Sequence, residues 1–183
     1  MSIARAAVAA CFMSLVLPLT ASAAEVHIYS YDPVSPAAQA LTSTGLSFEF
    51  ERRLMGGVRV VRVVQTGDRG SADLKLAPES DLGRGGLKAA LGKTEPVGPL
   101  YHILPQDAGE SFVHAVCPGS DQAWLLIGRL DRFRDLELQA VGRRAGEAGA
   151  HACANLAFSF RSDWRMPDQE VPEAKLFGGV GPN

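Results

Sequence analysis

The chain has 183 residues, of which 46% are hydrophobic and 21% charged, with a formal net charge of -2. This ordinary globular composition excludes a mainly disordered protein, a collagen and a multi-span membrane protein, and without a basic excess nothing points to nucleic acid. The length suits one compact domain or two small ones.

Residues 1–23 stand apart. Arg5 supplies a positive charge, residues 6–19 form an apolar run, and Ala21-Ser22-Ala23 closes it as a small-x-small site. These are the regions of a cleaved secretory signal peptide, which places the mature N-terminus at Ala24. The run is shorter than the roughly 20 apolar residues of a spanning helix. Cys11 is no lipidation site, because the apolar region continues past it from Phe12. No second long apolar run follows. The expectation is a soluble periplasmic or secreted protein, with no membrane span after cleavage.

Cleavage leaves Cys117 and Cys153. In an oxidising compartment such a pair is a disulfide by default. The alternative is a zinc site, since His114, Cys117, His151 and Cys153 are the right residue types. Residues 111–117 read as a strand, however, and an offset of three then puts His114 and Cys117 on opposite faces. The disulfide is therefore the expectation, and no metal or other cofactor is implied. There is no C-x-x-C-H haem motif and no C-x-x-C redox motif.

Along the mature chain, residues 25–31 (EVHIYSY) alternate as a strand, stopped by Asp32-Pro33. Ser35 as N-cap and Pro36 at the first position open a short helix to Leu41. In residues 46–52, Leu46, Phe48 and Phe50 oppose Ser47, Glu49 and Glu51, a half-buried strand. After a turn at Gly56-Gly57, the β-branched stretch 58–64 is its hairpin partner. Residues 72–76 give a short strand, 81–91 a glycine-weakened helix, and 101–104 another short strand. Residues 112–117 and 123–130 read as an antiparallel pair, the second apolar on both faces and hence central. Residues 136–141 and 151–161 complete the strands; in the last, Leu156, Phe158 and Phe160 alternate with Ala157, Ser159 and Arg161.

The domain organisation expected is a signal peptide over 1–23, one α+β domain over 24–166, and a Pro/Gly-rich extended tail over 167–183. Within the domain the expectation is a mostly antiparallel twisted sheet or small sandwich with one or two short helices, its disulfide tying the strand at Phe112 to the strand at Leu156.

Catalytic motifs are missing. Gly86 to Thr94 imitates a phosphate loop, but five residues separate Gly86 from Gly92 where the loop needs four. No H-E-x-x-H, calcium loop or G-x-S-x-G elbow occurs. Two constellations remain as candidate binding residues. Tyr29 and Tyr31 share one strand face beside Asp32: a binding wall with a carboxylate, or packed aromatics and a turn. Arg161, Asp163 and Trp164 close the last strand: a guanidinium and indole platform, or a polar strand end. The reading preferred is a small exported envelope protein, a non-catalytic binding or assembly module whose partner is another envelope protein or envelope component. A periplasmic hydrolase acting on envelope polymers, and a soluble carrier of a small or lipidic ligand in a sheet-lined cavity, are the alternatives.

Overall fold

The strands of this protein close on themselves. The computed structural model describes residues 26–52, 57–66 and 70–165, so the expected signal peptide over 1–23, the expected tail over 167–183 and the Gly56 turn position lie outside the described residues. The elements are β1 (Val26–Pro33), α1 (Pro36–Leu41), β2 (Leu46–Arg52), β3 (Val58–Gln65), β4 (Ser71–Leu76), a 3-10 turn (Glu79–Leu82), α2 (Gly86–Leu91), β5 (Leu100–Ile103), α3 (Gly109–Val116), β6 (Gln122–Ile127), β7 (Leu136–Arg143) and β8 (His151–Arg165). Each strand pairs antiparallel with the next, and β1 pairs with β8, giving a closed eight-stranded barrel. This overturns the expected twisted sheet or sandwich. A sandwich keeps edges; here every strand has two neighbours.

The closure lies in the length of β8. Its first half pairs with β7, from Gly142 opposite His151 to Leu136 opposite Phe158. Its second half pairs with β1, from Pro33 opposite Phe158 to His27 opposite Arg165. One 15-residue strand thus bridges the stagger that a tilted barrel needs. A bulge at Ser30/Tyr31 takes up the register shift.

Alternation sorts the side chains. Tyr29 and Tyr31, Leu46, Phe48 and Phe50, Val60 and Val63, Leu125 and Ile127, Leu156 and Phe158 belong to one buried interior cluster. Burying each such side chain contributes roughly 1.5–3 kcal/mol. The outward faces of β2 to β4 carry Glu49, Glu51, Arg59, Arg62 and Asp73, bonded across the strands, with Arg62 Nε on Asp73 at 2.7 Å and Arg59 on Glu51 at 2.9 Å. β6 is apolar on both faces for a specific reason. Ala123, Leu125 and Ile127 face inward, while Trp124 and Leu126 face out beneath Leu82, Ala90 and Leu91 of the β4–β5 excursion.

One end of the barrel is closed by helices. Ser35 caps α1 as expected, its hydroxyl accepting from the Ala38 N–H at 3.2 Å. Ala38 and Leu41 then pack into the interior cluster, and Gln65 donates to the Leu41 carbonyl at 3.4 Å. From the other side, Phe112, Val113 and Val116 of α3 enter the same cluster. Residues 112–116 are therefore helical and Cys117 ends the helix, contrary to the expected strand over 112–117. Their β-branched content suits a strand, but Phe112, Val113 and Val116 also form a helix face at 3.6-residue spacing, and burial selects it. β6 pairs with β5 and β7 instead.

Cys117, at the end of α3, is bonded to Cys153 in β8, with Cα atoms 5.2 Å apart. The cysteine pairing is as expected, but it ties a helix end to a strand. Gly142 lies directly beneath it: a Cβ there would come within 2.8 Å of the Cys117 sulfur. Gly45 leads into β2 at φ +98, a left-handed conformation that favours glycine, and packs on the Tyr31 carbonyl.

Candidate functional site

The opposite end of the barrel is not closed by a helix. Here the β6–β7 loop folds Leu130 inward, leaving it 8% exposed. Beside it a cavity of about 270 Å³ opens, lined by Val58, Val60, Tyr101, Ile127, Leu130 and the rim residues Arg129 and Asp131, among others. This is just under the usual size of small-molecule pockets. Eight strands give an interior at the limit where side chains either fill it or leave room for one small ligand. In this chain both happen. The β1–β2–β8 side is packed with aromatics, and the β3–β5–β6 side is lined by Val58, Val60, Ile127 and the single ring of Tyr101.

All three tyrosines of the chain point inward. Tyr101 accepts a hydrogen bond from the Val60 N–H at 3.3 Å. Tyr29 accepts one from Arg52 Nη2 at 2.9 Å. Tyr31 is fully buried, and its hydroxyl has no hydrogen-bond partner among the described residues. Burial pushes the Tyr31 phenol well above its usual range, and the neighbouring Tyr29 and Asp131 push the same way. Tyr31 therefore stays a neutral O–H at any physiological pH. Tyr29 and Tyr31 both meet Phe160 edge-on, at 5.7 and 5.8 Å, and Phe160 meets Phe133 on the loop at 5.4 Å. Phe133 is 76% exposed and holds φ +64, an uncommon conformation for a bulky residue.

The rim is charged. Arg129 pairs with Asp131 at 2.7 Å, and Arg132 pairs with Asp163.

The two constellations singled out in the sequence meet across the β1–β8 seam. Asp32 points outward and bonds Arg161, whose Nη2 also donates to the Thr44 carbonyl at 2.8 Å. That guanidinium holds the Asp32 carboxyl below its usual range. Asp32 is thus separated from the tyrosines it adjoins in sequence. Asp163 stands opposite Tyr29 in the ladder and reaches the rim through Arg132. Trp164 is 63% exposed on the outer face, its indole N–H donating to Ser162 Oγ at 3.1 Å.

The alternative zinc residues do not converge. The two sulfurs are joined to each other, His114 lies 3.9 Å from Glu110, and His151 lies 3.4 Å from Glu147. Among the described residues no group of three or more His, Cys, Asp or Glu side chains is placed to hold a metal ion.

Sequence reasoning missed Arg52, Tyr101, Arg129, Leu130 and Asp131. Arg52 was within reach, because it continues the alternation of Leu46, Phe48 and Phe50. The others needed the barrel. In comparison with known proteins, no family model matches the chain, and neither a curated protein nor a solved structure is similar to it.

Proposed function

We propose that this is an exported, non-catalytic binding protein that takes a small ligand into the open end of its barrel. The observation that carries the reading is the cavity of about 270 Å³, with aliphatic and tyrosyl walls and a charged rim, at the end left open by the helices. Of the readings open to the sequence, this joins the binding module to the carrier. The cavity suits a small molecule rather than a full lipid chain.

Other features support it. A closed barrel has no sheet edge to offer a partner strand, which removes the physical basis of assembly by strand addition. The hydrolase reading finds less support. His102 stacks outside the barrel on Trp124 at 5.1 Å, His114 and His151 lie at the helix-closed end, and His27, whose strand position faces inward, is stacked on Phe50 at 5.5 Å. Charged outer faces around an apolar interior are the reverse of a membrane-spanning barrel, and so favour a protein working in water. Among the described residues no helix is long and apolar enough to cross a membrane. Export to a periplasm or the medium rests on the leader-like residues 1–23 and accords with the Cys117–Cys153 bond.

Native mass spectrometry of the protein isolated from its own source tests the reading. The expected result is one small-molecule adduct, absent when Val58→Trp fills the mouth. A stoichiometric second polypeptide on a bare chain would overturn the carrier reading in favour of assembly.

A further inference from the structure

We infer that the open end of the barrel is an organic-anion site: it takes a small monocarboxylic acid, with the carboxylate on Arg52 and the apolar body in the cavity walled by Val58, Val60, Tyr101, Ile127 and Leu130. This rests on the binding reading above and names its ligand class.

The first argument is charge matching. Three carboxylates around this end have a guanidinium: Glu51 has Arg59 at 2.9 Å, Asp131 has Arg129 at 2.7 Å, and Asp163 has Arg132, while Asp135 on the β6–β7 loop accepts from the Phe160 N–H instead. Arg52 has none among the described residues; its hydrogen bond goes to the neutral Tyr29 hydroxyl at 2.9 Å. A guanidinium offers five N–H donors in a planar fork that matches a carboxylate, and one such bond leaves most of the fork unused. Because Asp131, the carboxylate that lines the cavity, is already matched by Arg129, Arg52 is left as a charge beside the cavity wall with no ion-pair partner among the described residues.

The second argument is placement. Arg52 stands directly opposite Val58 in the β2–β3 ladder, and Val58 lines the cavity. The guanidinium and the apolar wall are therefore contiguous, as an amphipathic acid requires. The bond to Tyr29, itself buried, draws the guanidinium toward the barrel axis and limits its rotamers.

The third is the Tyr31 hydroxyl. A fully buried O–H without a partner is uncommon and costly. Tyr31 is not among the residues lining the cavity, but it shares the interior cluster and the Phe160 ring with Tyr29, which holds Arg52. A neutral O–H donor behind that pair favours an acceptor oxygen on Arg52 and offers nothing specific to an alkyl group. The cavity of about 270 Å³ has room for a short aliphatic or single-ring acid and is small for a full-length fatty acyl chain.

The test is calorimetric titration of the mature, oxidised protein at pH 7 with octanoate, 1-octanol and octylamine. Octanoate is expected to bind at least ~10-fold tighter than 1-octanol, the usual gain of a charge-assisted pair. Arg52→Gln should abolish that preference. Arg52→Lys, which keeps the charge without the fork, should keep part of it, and it stands in if the Gln variant does not fold. Tyr31→Phe should weaken octanoate more than octanol. Equal binding of octanoate and octanol by the native protein would overturn the anion inference and leave the carrier reading standing. Tightest binding of octylamine would overturn it in favour of Asp131 as anchor. Binding of none of the three, or equal binding by Val58→Trp, would overturn both.

Discussion

Tyr31 and Phe160 face each other across the β1–β8 seam, ring centroids 5.8 Å apart and planes at 84°. The contact sits where the meander closes. Phe160 also meets Tyr29 on β1 and Phe133 on the β6–β7 loop, so one ring joins the seam to the rim of the candidate site.

Phe160→Ala removes three edge-on aromatic contacts. Each such pair is worth about 0.5–1.5 kcal/mol beyond area burial. Because Phe160 is half-buried, the expected loss is about 2–3 kcal/mol, below the roughly 3–5 kcal/mol of fully buried Phe→Ala substitutions, read from the urea midpoint. A loss under about 0.5 kcal/mol, the range of ordinary surface substitutions, would show that the backbone ladder alone holds the seam.

The Cys117–Cys153 bond joins positions 36 apart and encloses β6 and β7. Cross-linking a loop of this length contributes up to ~4 kcal/mol in the chain-entropy model. Reduction is expected to lower the unfolding free energy from urea titration by that order, and alkylation without reductant should label neither cysteine. Unchanged stability on reduction would mean that Phe112, Val113 and Val116 suffice to dock α3.

Much of this was legible residue by residue. The alternation of Leu46, Phe48 and Phe50 gave β2 with its ends correct, and Ser35-Pro36 gave the start of α1. Alternation reports which face is apolar, not how many neighbours a strand has. Closure therefore stayed hidden: it depends on Pro33 and Phe158 meeting across 125 residues, and on the length of β8. The segment at Phe112 failed for a related reason. Val113 and Val116 fit a strand locally, and only the need to close one barrel end makes them helical. At the site, Tyr29 and Tyr31 were placed on one face, as found, but their wall partners lie on β3, β5 and the β6–β7 loop. Asp32 illustrates the limit: adjacent in sequence to Tyr31, it points the other way and bonds Arg161.

That Asp32–Arg161 pair has a pH signature. The hydrogen bond from Arg161 lowers the Asp32 pKa below 3.8 in the folded state. A depressed folded value means that the unfolded chain binds the proton more readily, so the contribution is present above pH 3.8 and is lost as pH falls through the folded value. Both side chains are exposed, so the pair is worth under about 1 kcal/mol. Asp32→Asn should be slightly less stable than the native protein at pH 7, with the gap shrinking below pH 4 in urea titrations. A gap that grows on acidification contradicts the pairing.

His102 gives the opposite residue type the same sign. It stacks on Trp124 on the outer face of β5, with ring centroids 5.1 Å apart. Burial there lowers its pKa below 6.5, Arg143 and Lys75 add to the effect, and Asp81 opposes it. The folded state therefore holds the neutral imidazole, and the unfolded chain takes up the proton first. Stability contributed by the stacked neutral ring is full above pH 6.5 and declines as pH falls from there toward the lower folded value. His102→Gln removes the ring and the titration together. It should be less stable than the native protein at pH 7, and the difference should narrow toward pH 5, read from paired urea midpoints. The folded protein should also show tryptophan emission changing as pH falls through the lowered folded value, since Trp124 is the ring that His102 covers, and this change should vanish in the variant. A stability gap that widens on acidification would mean that protonated His102 is the form the fold prefers, with Asp81 outweighing burial.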